Sequence, residues 1–400
     1  MEATAPFELD ELRRDWIAGI SGAAFHRKVS GARASLEKSG GAVVIREEEP
    51  VAFAVKFFAA VSMCRPVVLA NPRWGRKERS EFEELMASDE PAAGAIAIPT
   101  GGTTGGVKLA VHDWHSLSAA AFAVRDFLGG GAVHSCCVLP LHHVSGLMQL
   151  LRSFLSGGSI CFDQSDAEAR CLSLVPTQLQ RLMQSKEGIR KLDTTRVVFS
   201  GGAAMPASVA QKARELRLPV VPVYGMTETA AMVAAIPGAD FLASPDAGAV
   251  PLGDTQFSVD PDGSVRIRGS SLFRGYLGGE SIDSENGFRT GDAGWLDDGG
   301  RLHLQGRMDR LINTGGEKVD PEEVREALLR RDRILEARVV GEPDEEWGEV
   351  VVAYVRSDPG APVPSGRDLI ASLKTELSPF KVPKDIRFFD EPRCTGDFRR

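Results

Sequence analysis

The stretch "IPTGGTTGGVKLAVHD", Ile98 to Asp113, sets Gly101, Gly102, Gly105 and Gly106 around Thr103 and Thr104, with Lys108 close behind. These residue types suit an anion. Glycines let backbone N–H groups approach it, hydroxyls donate hydrogen bonds, and a lysine supplies charge. A Walker-type loop needs G-x-x-x-x-G-K followed by Ser or Thr. Gly101 and Gly106 have that separation, but Val107 intervenes and Leu109 follows the lysine. The Walker pattern therefore fails by one residue and lacks the hydroxyl that would face magnesium. From this stretch alone, a phosphate loop of another kind and a flexible surface loop both stay open.

Further along, "YGMTE" (Tyr224 to Glu228) ends on an acid, and "HHVSG" sets His142 and His143 beside Ser145. Such residues must be placed by strands and helices. "AGAIAIPT" predicts a buried strand entering the Gly/Thr loop. "CCVLPLHHVSGLMQLLRSFLSGG" reads as strand, loop and helix. "RVVFSGGAAMP" reads as strand and Gly-rich turn before the helical "ASVAQKARELR", and "LPVVPVYGMTETA" as strand and loop. Strands alternating with helices predict an α/β protein with mixed, largely parallel sheets, and ligands gather beyond the strand C-ends of such sheets. Past Gly253 the pattern turns antiparallel, in "GSVRIRGSSLFRGYL" and "GRLHLQGR". Then "KVDPEEVREALLRR" predicts a helix with Asp320 as N-cap, Pro321 at its first position and Glu323 closing a capping box. We expect a large domain over 1–308 and a small α+β domain over 309–400.

Composition narrows the function. A length of 400 residues suits more than one domain, and a net charge of -8 argues against a general nucleic-acid binder. No apolar run is long enough to span a membrane, and the acidic start "MEATAPFELDELRRDW" lacks a signal-peptide layout. The six cysteines form no CxxC pair and the seven histidines show no metal-ligand spacing. Reduced thiols in the cytoplasm are the expectation.

"TGGTTGGVK" (Thr100 to Lys108) resembles the Thr/Ser/Gly-rich loop of adenylate-forming enzymes, with Val107 in place of the usual proline. "YGMTE" resembles their Y-G-x-T-E signature, "TGD" (Thr290 to Asp292) their third, and Gly306 to Arg325 their fourth. "TGD" alone would be a turn in most proteins, and Glu228 alone a solvated loop acid. The order of the set carries the resemblance, from about Gly94 to the C-terminus, and points to an acyl-CoA synthetase. Such enzymes join a carboxylate to ATP as an acyl-adenylate, and a thiol, usually coenzyme A, then displaces AMP.

The resemblance implies roles. Thr100, Thr103, Thr104 and Lys108, with Gly101, Gly102 and Gly105, would grip the ATP β/γ-phosphates. Thr227 would contact the α-phosphate, beside Gly225, and Glu228 would hold Mg²⁺. Gly201, Gly202 and Ala203 would line the adenine site beside Tyr224. Asp292 and Arg307 would bind the ribose. Asp309 would be the hinge, and Thr314, Gly315 and Gly316 would flank the pantetheine tunnel. Lys108, Thr227 and Glu228 would be the catalytic set. A homodimer is a candidate assembly, since dimers are common among such enzymes.

Pro140 to Gly158, with "SGGAAMP" and "GMTETAAM", looks like the o-succinylbenzoate-CoA ligases of menaquinone and phylloquinone synthesis, where P-L-x-H-V-S-G-L occupies this place. His143, Ser145 and Gly146 match it. A doubly anionic acid needs a polar group for its second carboxylate. Arg152 lies about two helical turns after Ser145 and could supply it, unless it is a surface residue. Of the two adjacent histidines, His142 is expected to be exposed and idle. His112, His115, His134 and His303 are expected to be structural. A CoA ligase for another small aryl or acyl acid is the alternative.

One departure matters. The family's closing segment, P-R-x-x-x-G-K, carries an active-site lysine. Here "EPRCTGDFRR" keeps Arg393 and Gly396, shortens the spacer, and puts Asp397 at the lysine's place. An altered tail, a substitute cation (Lys384, Arg399 or Arg400), or a nucleotide-binding relative with weak adenylation would each account for it.

Overall fold

The computed structural model describes residues 5–100, 106–163, 167–168, 170–283, 285–308, 310–314, 317–344, 347–358, 365–377 and 379–389. Gly101, Gly102, Thr103, Thr104, Gly105, Asp309, Gly315, Gly316 and the tail with Arg393, Gly396, Asp397, Arg399 and Arg400 lie outside them. The chain forms two compact units. One comprises 1–259, 266–290 and 296–303; the other comprises 260–265, 291–295 and 304–400.

The first unit holds two sheets. In the first, the strands run Val43–Ile45, Val67–Leu69, Ile96–Pro99, Leu109–His112, Gly275–Tyr276. The first three pair in parallel and the last two antiparallel. In the second, the order is Val250–Pro251, Ala231–Ala235, Val220–Met226, Val197–Ser200, Cys171–Leu174, Ser135–Cys136, Ile160–Cys161. It is parallel from Ile160–Cys161 through Val220–Met226 and antiparallel beyond. The expectation of mixed, largely parallel sheets is met, because short Val/Ile-rich runs buried on both faces suit parallel strands crossed by helices.

Local chemistry starts the helices. The Ser21 hydroxyl accepts from Ala24 N–H before Gly22–Leu36, Glu49 caps Pro50–Ser62, and Asp113 caps Trp114–Phe127. Pro50–Ser62 buries most of its residues, and its Phe58 packs edge-on to Phe7, Trp16, Phe25 and Phe154. Rings in that arrangement add stabilisation beyond the area they bury.

The second unit has a five-stranded sheet. Glu317–Val319, Ile312–Thr314, Gly348–Ser357 and Ile334–Asp344 are antiparallel neighbours, and Asp385–Phe388 pairs parallel to Gly348–Ser357. Its core includes Val324, Leu328, Val351, Leu369 and Leu373. The helix Pro321–Leu329 starts where expected and the Asp320 carboxylate accepts from Glu322 N–H. Glu323 does not close a capping box; its carboxylate binds Lys381 Nζ at 2.8 Å instead. A lysine brought in from a distant segment outcompetes the local amide. A further four-stranded sheet has the order Gln256–Val259, Ser264–Arg268, Phe288–Leu296, Leu302–Arg307. "TGD" therefore sits inside a nine-residue strand rather than in a turn, because its neighbours pair across it. Among the described residues, no helix is long and apolar enough to cross a membrane.

Gly225 lies opposite Met232, and a Cβ there would stand 1.6 Å from the Ala231 carbonyl oxygen. Ala230 and Ala231 hold φ of 52° and 77°, the left-handed region, so the turn cannot easily yield. Gly225→Ala is expected to destabilise the first unit by about 3 kcal/mol or more, read by urea unfolding. A loss near zero would mean that the hairpin tip is free to open.

Candidate active site

Two of the three phosphate-type loops are hairpin tips. The Gly/Thr loop follows Ile96–Pro99, but Leu109–His112 returns antiparallel beside it, with Thr100 N–H bonded to the Lys108 carbonyl at 3.0 Å. "YGMTE" lies at the end of Val220–Met226, and Ala231–Ala235 likewise returns antiparallel. Only Gly201–Ala203 leads from a strand into a helix, Ala207–Glu215. There Gly201 sits against Val223, while Gly202 and Ala203 are exposed. Tyr224, in the neighbouring strand, is half-buried with its ring 6.5 Å from Phe257.

The far end of the strand Leu109–His112 is tied to the "YGMTE" turn. His112 is fully buried, its Nε2 lying 2.7 Å from the Thr227 carbonyl and its Nδ1 3.0 Å from Ser116 Oγ. A carbonyl only accepts, so Nε2 carries the proton and Nδ1 accepts from the serine hydroxyl. Burial pushes the imidazole down to about 4. Thr227 itself is buried. Thr229 Oγ1 accepts from Met226 N–H at 2.9 Å and bonds the Ala231 carbonyl at 2.9 Å, which shapes the turn that presents Glu228.

The half-buried Glu228 accepts the Tyr276 hydroxyl at 2.5 Å on Oε1. Lys108 Nζ stands 5.7 Å from the centroid of the same ring. The chain thus brings Lys108 and Glu228, both anticipated, to Tyr276, which was not, and Thr227 precedes Glu228 directly. The only trace of Tyr276 in the sequence is the alternation of "LFRGYL", which predicts a strand but no role. His112 was expected to be structural; it is, and it anchors a site loop.

On the acid side, His143 is the N-cap residue of Val144–Leu155, and Ser145 lies in the first turn, half-buried. The expectation for His142 is corrected. It is 6% exposed, more deeply placed than His143, and its ring lies 4.6 Å from that neighbour. Burial, then His143 and Arg73, push His142 down to about 4, and burial also lowers His143. Arg152 is no surface residue either. It is 3% exposed, its Nε donates to the Met148 carbonyl at 2.9 Å, and its guanidinium lies 5.8 Å from the Phe199 ring. Among the described residues no carboxylate pairs with it, and burial lowers its pKa to about 10. Gln149 Oε1, on the same helix, and Ser200 Oγ are buried without a hydrogen-bond partner.

In the second unit, Arg307 Nη1 lies 3.7 Å from Asp292 Oδ1, and Thr314 is buried. Lys384 Nζ lies 4.9 Å from the Trp347 ring.

The histidines make stability depend on pH. Unfolded, His112 titrates near 6.5, and folded it stays neutral down to about 4. As pH falls below about 6.5 the unfolded chain takes up the proton first, so stability is complete above that pH, declines below it, and levels off below about 4. His142 contributes with the same sign. His112→Gln, which keeps a donor for the Thr227 carbonyl, is expected to flatten part of the fall of Tm between these pH values. An unchanged slope would mean that His112 protonates freely in the fold.

A family model described as AMP-binding enzyme matches residues 30–277, and one described as AMP-binding enzyme C-terminal domain matches 323–396. Curated relatives include the 2-succinylbenzoate–CoA ligases of Bacillus licheniformis and Enterococcus faecalis. The first is 30% identical over 78% of this chain and 68% of its own length. The second is 32% identical over 80% and 70%. The o-succinylbenzoate CoA synthetase from Bacillus subtilis, solved with the acyl-adenylate intermediate, superposes with TM-score 0.77 at 24% identity, covering 94% of this chain and 90% of that one. The chain belongs to the AMP-binding enzyme family, as an AMP-forming acyl-CoA ligase.

Proposed function

We propose that this chain ligates 2-succinylbenzoate to coenzyme A through an acyl-adenylate, as menaquinone or phylloquinone synthesis requires. A carboxylate is a poor acylating agent because its leaving group would be oxide. Its oxygen instead attacks the α-phosphorus of ATP, the bond to the bridging oxygen breaks, and pyrophosphate leaves. The CoA thiol, losing its proton, then attacks the acyl carbon and AMP departs.

The observation that carries this reading is the meeting of Lys108 and Glu228 on Tyr276. A cation and an acid from separate loops converge where a polyphosphate and its metal would need both. The donor set fits magnesium. Among the described residues no group of three or more His, Cys, Asp or Glu could cage an ion, and Mg²⁺ commonly takes one or two carboxylates beside phosphate oxygens and water. Glu228 would hold it, and the ion would neutralise phosphate charge. Lys108 and Thr227 hold charge and orientation around the phosphates, with Thr100, Thr103, Thr104 and the loop glycines. Gly201, Gly202, Ala203 and Tyr224 take the adenine, and Asp292 and Arg307 the ribose. Thr314, Gly315 and Gly316 take the pantetheine arm. The functional division falls between 1–308 and 309–400, with Asp309 as hinge, although by packing 260–265, 291–295 and 304–308 group with the smaller unit.

The relatives' shared activity supports the choice of acid. So does the desolvated Arg152 guanidinium, with Gln149 Oε1, three residues earlier on the same helix, buried without a hydrogen-bond partner. A buried cation without a counter-ion is costly, so a second substrate carboxylate reaching it would be held strongly. His143 and Ser145 stand at the start of the same helix.

Mass spectrometry of a reaction holding o-succinylbenzoate, ATP, Mg²⁺ and CoA is expected to show a new CoA thioester and AMP. A folded protein that binds ATP but makes no thioester would overturn this choice of acid, unless Asp397→Lys restores the product. Arg152→Met, which keeps the bulk, is expected to raise KM for the dicarboxylic acid more than tenfold while leaving that for ATP within about twofold. Equal effects on both would remove Arg152 from the acid site.

A further inference from the structure

We infer that Tyr276 is a positioning residue for adenylation: its hydroxyl fixes the orientation of the Glu228 carboxylate and its ring seats the Lys108 ammonium. The inference rests on the magnesium placement proposed above.

The hydroxyl donates to Oε1 of Glu228 at 2.5 Å, a short charge-assisted bond. The other carboxylate oxygen, Oε2, has no hydrogen-bond partner among the described residues and is left for a ligand. Lys108 forms no ion pair among those residues; its Nζ stands 5.7 Å from the ring centroid, within reach of a cation–π contact. One side chain therefore touches the working groups of both hairpin tips.

Tyr276 is itself held firmly. Gly275 and Tyr276 pair antiparallel with Val111 and Ala110, on the strand that follows Lys108. Arg274 N–H bonds the Val111 carbonyl at 2.7 Å and Leu277 N–H the Leu109 carbonyl at 2.9 Å. At the start of this ribbon, Phe273 N–H bonds the Glu228 carbonyl at 2.9 Å. The Phe273 ring meets Tyr276 edge-on at 5.0 Å. Gly275 takes φ +138°, and a Cβ there would lie 2.5 Å from the Glu280 carbonyl oxygen, so the ribbon's course is tightly constrained. The same backbone that carries Tyr276 is thus bonded to the strand after Lys108 and to Glu228, and both distances are set together.

The test is calorimetric titration of ATP into the full chain, with and without Mg²⁺, for wild type, Tyr276→Phe, Tyr276→Leu and Glu228→Gln, with thermal unfolding alongside. Tyr276→Phe keeps the ring and is expected to bind ATP alone within about twofold of wild type. It should lose on the order of tenfold of the affinity that Mg²⁺ adds, the size of one hydrogen bond to a charged group. Tyr276→Leu should also bind ATP alone more weakly. A full Mg²⁺ gain in Tyr276→Phe would overturn the inference. So would a larger gain, since the hydroxyl would then compete with the metal. If Glu228→Gln loses the gain and Tyr276→Phe keeps it, the inference alone fails. If Glu228→Gln keeps the gain, the magnesium placement falls, and this inference with it.

Discussion

The hydrogen bond from the buried His112 imidazole to the Thr227 carbonyl is the constraint on which the proposed nucleotide site depends. It crosses between two sheets whose loops are distant in sequence. The turn carrying Thr227 and Glu228 joins two antiparallel strands, and such a turn is set only by those strands unless something ties it elsewhere. His112 provides that tie from inside the core, where no water competes and where the neutral ring is kept by burial. The ribbon from Phe273 to Leu277 adds a second tie through backbone pairing. Lys108, Thr227 and Glu228 owe their proximity to these bonds more than to any attraction among themselves.

The acid side is built on a different principle. The helix Val144–Leu155 buries Gln149 and Arg152 against a sheet where apolar residues would pack more cheaply. Gly146 admits the chain there, since a Cβ would lie 2.2 Å from the Pro140 carbonyl oxygen. A guanidinium buried with no carboxylate partner among the described residues is a cost to the free protein, and on the proposed reading a substrate carboxylate would offset it.

Much of this was legible beforehand. Residue types that hold phosphates are local: glycines, hydroxyls and a lysine must follow one another closely, so the Gly/Thr loop and "YGMTE" stand out in the chain. Helix starts such as Asp320–Pro321 are equally local, because a cap needs only the next few amides. Other features were misread for a common reason. His142 looked exposed, "TGD" taken alone suggested a turn, and Glu323 looked like half of a capping box. Each outcome was settled by a partner far along the chain: the surroundings that bury His142, the strands beside Phe288–Leu296, and Lys381.

The sequence by itself determined the reaction class through the resemblance that its four ordered motifs carry to adenylate-forming enzymes, since each motif is a short-range pattern that survives without the fold. It also determined the alternation of strands and helices, through the periodicity of buried residues. Only the tertiary structure decided that Tyr276 joins Lys108 to Glu228, that His112 anchors Thr227, and that Arg152 is a buried cation rather than a surface one. Those facts come from pairings between distant strands and from desolvation, and neither is a property of any short stretch of chain.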